Sequence, residues 1–136
     1  TEYACIAMLE LACQYAAQKP VQLRSIAQRH GIPARFLVQI LLQLKAAGLV
    51  NSTRGAAGGY RLARDPAQVT LRDVTQILDG QPATITSKAE NATSISTTLI
   101  DMFNHFRSQQ TKMLQTITLA ELMQRAEQDT NPMYYI

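Results

Sequence analysis

The stretch "TRGAAGGYRLARD", residues 53–65, concentrates three of the chain's six glycines and three arginines, Arg54, Arg61 and Arg64. Glycine lets a backbone take positive φ and approach another surface closely. Arginine presents a planar fork of donors that matches phosphate oxygens or a guanine edge. Together they suit contact with a polyanion. A glycine loop that cradles nucleotide phosphates needs a lysine and a Ser or Thr after the glycines, then a helix. Tyr60-Arg61-Leu62 follows here instead, which removes that reading.

The other residue types capable of chemistry are sparse. His30 and His105 are the only histidines, and neither stands in a nucleophile, metal or acid–base spacing. No catalytic residue, metal ligand or cofactor is expected, and the chain reads as a non-enzyme. Cys5 and Cys13 lie eight apart in an apolar helical pattern, so they project within about 80° of each other. One pair on one helix is no disulfide framework. It reads as small hydrophobes in a reducing cytoplasm, with a thiol switch as the weaker alternative.

Charge is distributed unevenly. Residues 1–64 carry eight basic and two acidic side chains, a balance of +6, and residues 65–136 carry five against eight, a balance of −3. A basic half joined to an acidic half is the footprint of a nucleic-acid binder with a separate second role. An apolar fraction of 46% with 17% charged residues excludes wholesale disorder. No run approaches the roughly 18 consecutive apolar residues of a membrane span, and no leader peptide is visible, so a cytoplasmic protein is expected.

The elements that must position the glycine-rich tip follow from periodicity. Residues 2–17 read as an amphipathic helix ended near Lys19-Pro20. Leu23, Ile26 and Ala27 give a short second helix closed at Gly31. From Pro33, Leu37, Ile40, Leu41 and Leu44 lay an i, i+3, i+4, i+7 stripe that Gly48 ends. A short helix, a tight turn and a longer helix make a helix-turn-helix. Strands over Leu49–Arg54 and Tyr60–Ala63 then flank Gly55 to Gly59, so the glycines become the tip of a wing.

Downstream, Thr70-Leu-Arg-Asp73 caps a helix through Leu78, and Thr118-Leu-Ala-Glu121 caps a last helix to about Ala126. Residues 80–97 are polar, rich in Ser, Thr and Ala, and lack a helical period. A long helix is expected from Thr98 to about Gln115, with Leu99, Phe103, Phe106, Met113 and Ile117 in a seam interrupted by Gln110. A lone helix with such a seam needs a partner, and a polar residue within it can fix register.

These segments resemble the Rrf-two family of bacterial winged-helix transcriptional regulators, with its IscR-, NsrR- and CymR-like members. The carriers are "EYACIAMLELA", "LRSIAQRHGIPARFLVQILLQLKAAGLV", "STRGAAGGYRLARDP", "TLRDVTQILDG" and "ITLAEL", in the family's order over most of the chain. The resemblance implies a homodimer on partly palindromic double-stranded DNA, a repressor by family habit, with the long helix crossing its symmetry mate. Arg54 and Gly55, with Gly58 and Gly59 behind them, would approach the minor groove. The helix from Pro33 would offer Arg35, Phe36, Gln39 and Gln43 to the major groove, where arginine pairs with guanine and glutamine with adenine. Arg24, Arg29 and Lys45 would meet the phosphate backbone, which positions without reading sequence, and Arg61 is counted with the DNA-binding residues.

Two departures qualify the resemblance. Cluster-binding relatives place three cysteines in the loop that is here 80–97, which holds neither cysteine nor histidine. An iron–sulfur cluster needs thiolates, so none is expected. Val38 stands where the iron–sulfur regulator carries a glutamate that tunes operator choice, so operator sequence is not transferable. The expected architecture is mainly α with a small β wing: a winged helix-turn-helix over 1–79, the loop 80–97, and a dimerisation helix with a C-terminal helix over 98–136. The alternative function is a winged-helix protein that works mainly through a protein partner, or as a thiol or small-molecule sensor.

Overall fold

The computed structural model describes residues 1–80 and 84–129. Its elements are α1 (Glu2–Cys13), α2 (Leu23–His30), α3 (Ala34–Ala46), β1 (Val50–Thr53), β2 (Gly59–Leu62), a 3-10 turn (Pro66–Gln68), α4 (Leu71–Asp79), α5 (Ser94–Thr116) and α6 (Leu119–Asp129). β1 and β2 pair antiparallel, with Val50 opposite Leu62 and Thr53 opposite Gly59, and Val21 adds an isolated bridge to Tyr60. The chain is mainly helical with a two-stranded wing and a long helix late in the sequence.

The leucine stripe of α3 explains the centre of the molecule. Leu37, Leu41 and Leu44 are fully buried, and Ile40 packs at the margin of the same cluster. They meet Ala4, Ala7, Met8 and Leu11 of α1, where small residues let the helices approach closely. Ala12, Ile26, Ile32, Leu49, Val50, Leu62, Val69, Val74 and Leu119 complete the core. Leu119 comes from α6, so the C-terminal helix docks back on the winged-helix core. Leu119 N donates to Val69 O, and Leu71 N to Ile117 O, each at 2.9 Å.

Boundaries follow local chemistry. Gly31 closes α2 at φ 66°, the left-handed conformation that glycine adopts without a Cβ penalty. Thr70 and Asp73 form a reciprocal cap at the start of α4, at 3.2 and 2.9 Å. Glu121 N donates to Thr118 Oγ1 at 3.1 Å, as the cap expected at α6 requires.

Three helices differ from their sequence reading, and α6 runs on to Asp129 rather than to about Ala126. α1 ends at Cys13 rather than near residue 17, because Gln14 N and Tyr15 N bond back three residues to Leu11 O and Ala12 O, each at 3.2 Å. That tightening leads into Gln18 at φ 51°, just before Lys19-Pro20. α5 begins at Ser94 rather than Thr98. Thr93 Oγ1 accepts from Ser96 N at 3.1 Å, and Ser96 Oγ accepts from Thr93 N at 2.9 Å, a capping box built with serine. The structureless part of the expected loop 80–97 is therefore shorter, and its residues 81–83 lie outside the described residues.

Candidate nucleic-acid interface

The outer face of α3 is set by the inner one. At about 100° per residue, burying Leu37, Leu41 and Leu44 leaves an arc of about 160° that holds Arg35, Phe36, Val38, Gln39, Leu42 and Gln43, all of them exposed. Arg35, Gln39 and Gln43 stand one turn apart as a polar stripe along it. The Arg35 guanidinium carbon lies 4.8 Å from the Phe36 ring centroid. That ring in turn stacks on Tyr3 of α1, 6.5 Å between centroids. A ring fixed from behind restrains the arginine that rests upon it.

The wing is attached to the helices by more than its hairpin. Val21 N donates to Tyr60 O and Tyr60 N to Val21 O, both at 2.8 Å. Gln22 Nε2 donates to the Ala56 carbonyl at the tip, 3.3 Å away. Lys45 Nζ donates to Ser52 Oγ at 2.7 Å, tying the end of α3 to β1. Thr53, Arg54, Gly55, Ala56 and Ala57 form the exposed tip, and Gly58 is buried beneath it. A Cβ on Gly58 would stand 2.1 Å from Thr53 O, and one on Gly59, at φ 152°, 2.6 Å from Val21 O. Both positions exclude a side chain on steric grounds.

The remaining basic residues divide. Arg24 is exposed on α2. Arg29 Nη1 pairs with Glu10 Oε1 at 3.3 Å, and His30 Nε2 meets the same oxygen at 2.6 Å. Arg61 sits apart from the tip, its Nη1 donating to the Gln18 carbonyl at 3.4 Å. Glu10, Gln22 and Val21 were not singled out by sequence reasoning. Their partners lie far along the chain, and no local pattern announces them.

α5 carries the second exposed surface. Ile95, Leu99, Met102, Phe103, Phe106 and Met113 are all exposed, and they fall within a stripe about 100° wide. Gln110 lies within it, and Ile117 follows at the helix end, half-buried. No residue of α5 is buried. On the opposite side, Asn104 holds the described loop: its Oδ1 accepts from Ile85 N at 2.8 Å and its Nδ2 donates to Ile85 O at 3.1 Å. Asparagine in mid-helix gave no such signal in the sequence.

The Rrf2 family model, described as an iron-dependent transcriptional regulator, matches residues 1–125. The chain belongs to the Rrf2 family. It is a helix-turn-helix transcriptional regulator and not an enzyme. Among Rrf2 relatives, IscR of Vibrio cholerae is 34% identical over 123 residues, covering 89% of this chain and 70% of the relative. The structure of CymR, the global cysteine regulator of B. subtilis, superposes with a TM-score of 0.78 at 31% identity, covering 91% of this chain and 92% of that one. IscR of T. potens gives 0.77 at 32% identity, covering 98% and 92%.

The Rrf2 description raises the question of iron. Cys5 and Cys13 are the chain's only cysteines, and both lie on α1 rather than in the loop before α5. Eight residues of helix separate them by about 12 Å along the axis, far beyond disulfide reach. Among the described residues, no group of three or more His, Cys, Asp or Glu side chains could hold a metal ion. The donor set does not fit a thiolate-held cluster.

Partial burial pushes the half-buried Cys5 thiol above the ordinary cysteine value, against the N-terminal ammonium and with Asp79. Cys13, exposed rather than a core hydrophobe, is raised by its smaller desolvation and by Glu10 and Glu127 against Arg29. Thiolate therefore forms at higher pH than in a free thiol, and reactivity falls with it. We expect alkylation of the exposed Cys13 by iodoacetamide to show a pH midpoint above that of glutathione. A midpoint at or below it would show an activated thiol. Among the described residues no helix is long and apolar enough to cross a membrane.

Proposed function

We infer that the protein is a cytoplasmic, sequence-specific repressor that binds partly palindromic duplex DNA as a homodimer, without an iron–sulfur cluster. The observation that carries this reading is the exposed stripe Arg35, Gln39 and Gln43 along α3, held in place by the buried leucines of the same helix. A polar stripe on a rigid helix is what base-edge readout in the major groove requires. Arg54, exposed at the wing tip, enters the minor groove in this reading, where narrow A·T-rich segments attract arginine. Gly55 lets the backbone follow it. Arg24 and Lys45 meet phosphates, and Arg29 does so while its other side remains on Glu10.

Dimerisation rests on the α5 stripe. A helix with an apolar seam in water is stabilised by burying that seam against a second copy, and two-fold symmetry makes the patch self-complementary. Repression then follows from occupancy of the operator. The absence of loop thiolates supports a cluster-free regulator.

The test is a pair of alanine variants assayed by fluorescence anisotropy on an operator footprinted with the wild-type protein. Arg54→Ala is expected to lose about 1–3 kcal/mol of operator affinity with an unchanged circular-dichroism melt. Gln39→Ala is expected to lose more affinity for operator than for random duplex, relaxing base preference. Unchanged affinity in Arg54→Ala would remove the wing from the interface. Equal losses on both duplexes would reduce Gln39 to a positioning contact.

A further inference from the structure

Behind the wing, on the side where α1 ends, lies a cavity of about 240 Å³ lined by Leu11, Tyr15, Gln18, Lys19, Asn51, Arg61 and Leu62. Its floor is apolar: Leu11 and Leu62 are buried and Tyr15 is half-buried. Its rim is cationic, with Lys19 on the turn after α1 and Arg61 on β2. No acidic side chain lines it. Among the described residues the Lys19 ammonium meets no carboxylate, and the Arg61 guanidinium has only the Gln18 carbonyl, at the long distance of 3.4 Å. Asn51 stands directly across the ladder from Arg61 and adds an amide to the rim.

The neighbouring cavity of about 400 Å³ under the wing tip makes an instructive contrast. It also has cations, Lys19 and Arg29, but it contains Glu10, whose carboxylate is already bound to Arg29 and His30. Glu10 answers Arg29 there, and Lys19 stands on the wall shared by the two cavities. The smaller cavity keeps two positive charges over an apolar floor with no counter-charge. Its accessible lining is more polar than apolar, so convergent polar groups would orient a bound ligand more than apolar contact would.

We propose that the cavity between the end of α1 and the wing is a binding site for a small organic monoanion, a carboxylate on an apolar body of amino-acid size. The carboxylate lies between Lys19 and Arg61, where arginine offers a planar pair of donors and lysine a point charge. The apolar body lies against the half-buried Tyr15 ring, with Leu11 and Leu62 packed behind it. Inorganic phosphate satisfies the rim but not the floor, which distinguishes this chemistry from a bare anion or a nucleic-acid backbone contact. The two cations belong to different elements, so an occupant bridges the turn after α1 to the wing strand.

The test uses nitrogen–proton correlation spectra of the full chain, without DNA, titrated with sodium benzoate, benzamide and inorganic phosphate. Benzoate is expected to move the amides of Gln18, Asn51 and Arg61 to saturation. Benzamide, which lacks the charge, and phosphate, which lacks the body, are expected to bind at least about tenfold more weakly. The double variant Lys19→Gln with Arg61→Gln, both exposed positions, is expected to keep the native spectrum and lose the benzoate response. Saturation by phosphate at equal affinity, benzoate shifts confined to the α5 stripe, or an undiminished response in the variant would each overturn the proposal. Because no DNA is present, failure here leaves the operator reading untouched.

Discussion

Gly58→Ala is expected to weaken operator binding sharply and to lower the melting temperature by several degrees. The added Cβ falls 2.1 Å from Thr53 O and 2.9 Å from the Arg54 carbonyl carbon, and both are backbone atoms that cannot swing aside. Relief requires the last pair of the ladder, Thr53 opposite Gly59, to separate. Overpacking of this kind costs about 1–3 kcal/mol. The same movement displaces Arg54 and weakens the Gln22 contact to Ala56 that holds the tip to α2. Differential scanning calorimetry with anisotropy on the operator checks both effects. Wild-type affinity in Gly58→Ala would show that the tip tolerates rearrangement and that its geometry is immaterial to binding.

Phe106→Asp is expected to convert the proposed dimer to a monomer and to leave the protomer folded. Phe106 is 58% exposed in the single chain, so its replacement removes no core contact within the protomer. In a two-fold dimer the same position faces the apolar stripe of the second copy. An unpaired carboxylate placed there costs several kcal/mol, and symmetry counts the penalty twice. The dimer dissociation constant is expected to rise by at least about a thousandfold. Sedimentation velocity reads the mass, and far-ultraviolet circular dichroism reports whether α5 persists. A dimer of unchanged mass would move the interface away from this helix face.

Much of this was legible because the signals are local. The α3 stripe, Gly31 and the Thr70–Asp73 cap each announce themselves within one or two turns, and the wing follows from two short strands around glycines. The start of α5 was missed for a local reason as well. Ser94-Ile-Ser-Thr-Thr98 is poor in helix formers, and its capping box carries Ser96 where Glu or Gln is usual. The same stripe extends back to Ile95, and Met102 sits within it, so the apolar face is longer than the seam read from Thr98 onward.

What the sequence did not disclose is the set of contacts that fix the site from a distance. Gln22 reaches Ala56 across 34 residues, Glu10 reaches His30 across 20, and Asn104 reaches Ile85 across 19. None has a periodic signature, because each depends on how two elements pack after both have formed. Arg29 illustrates the consequence. The family resemblance makes it a phosphate contact, yet in the fold it already shares a carboxylate with His30.

The measurement that bears most directly on the central claim is anisotropy of labelled duplexes at several salt concentrations. Wild-type protein is compared on DNA from upstream of its own gene and on a scrambled sequence of equal length. Tighter binding to the upstream duplex is expected at every salt. Affinity is also expected to fall steeply with salt on both, as basic side chains displace counterions from phosphates. Equal affinity for the two duplexes, with little dependence on salt, would contradict that claim.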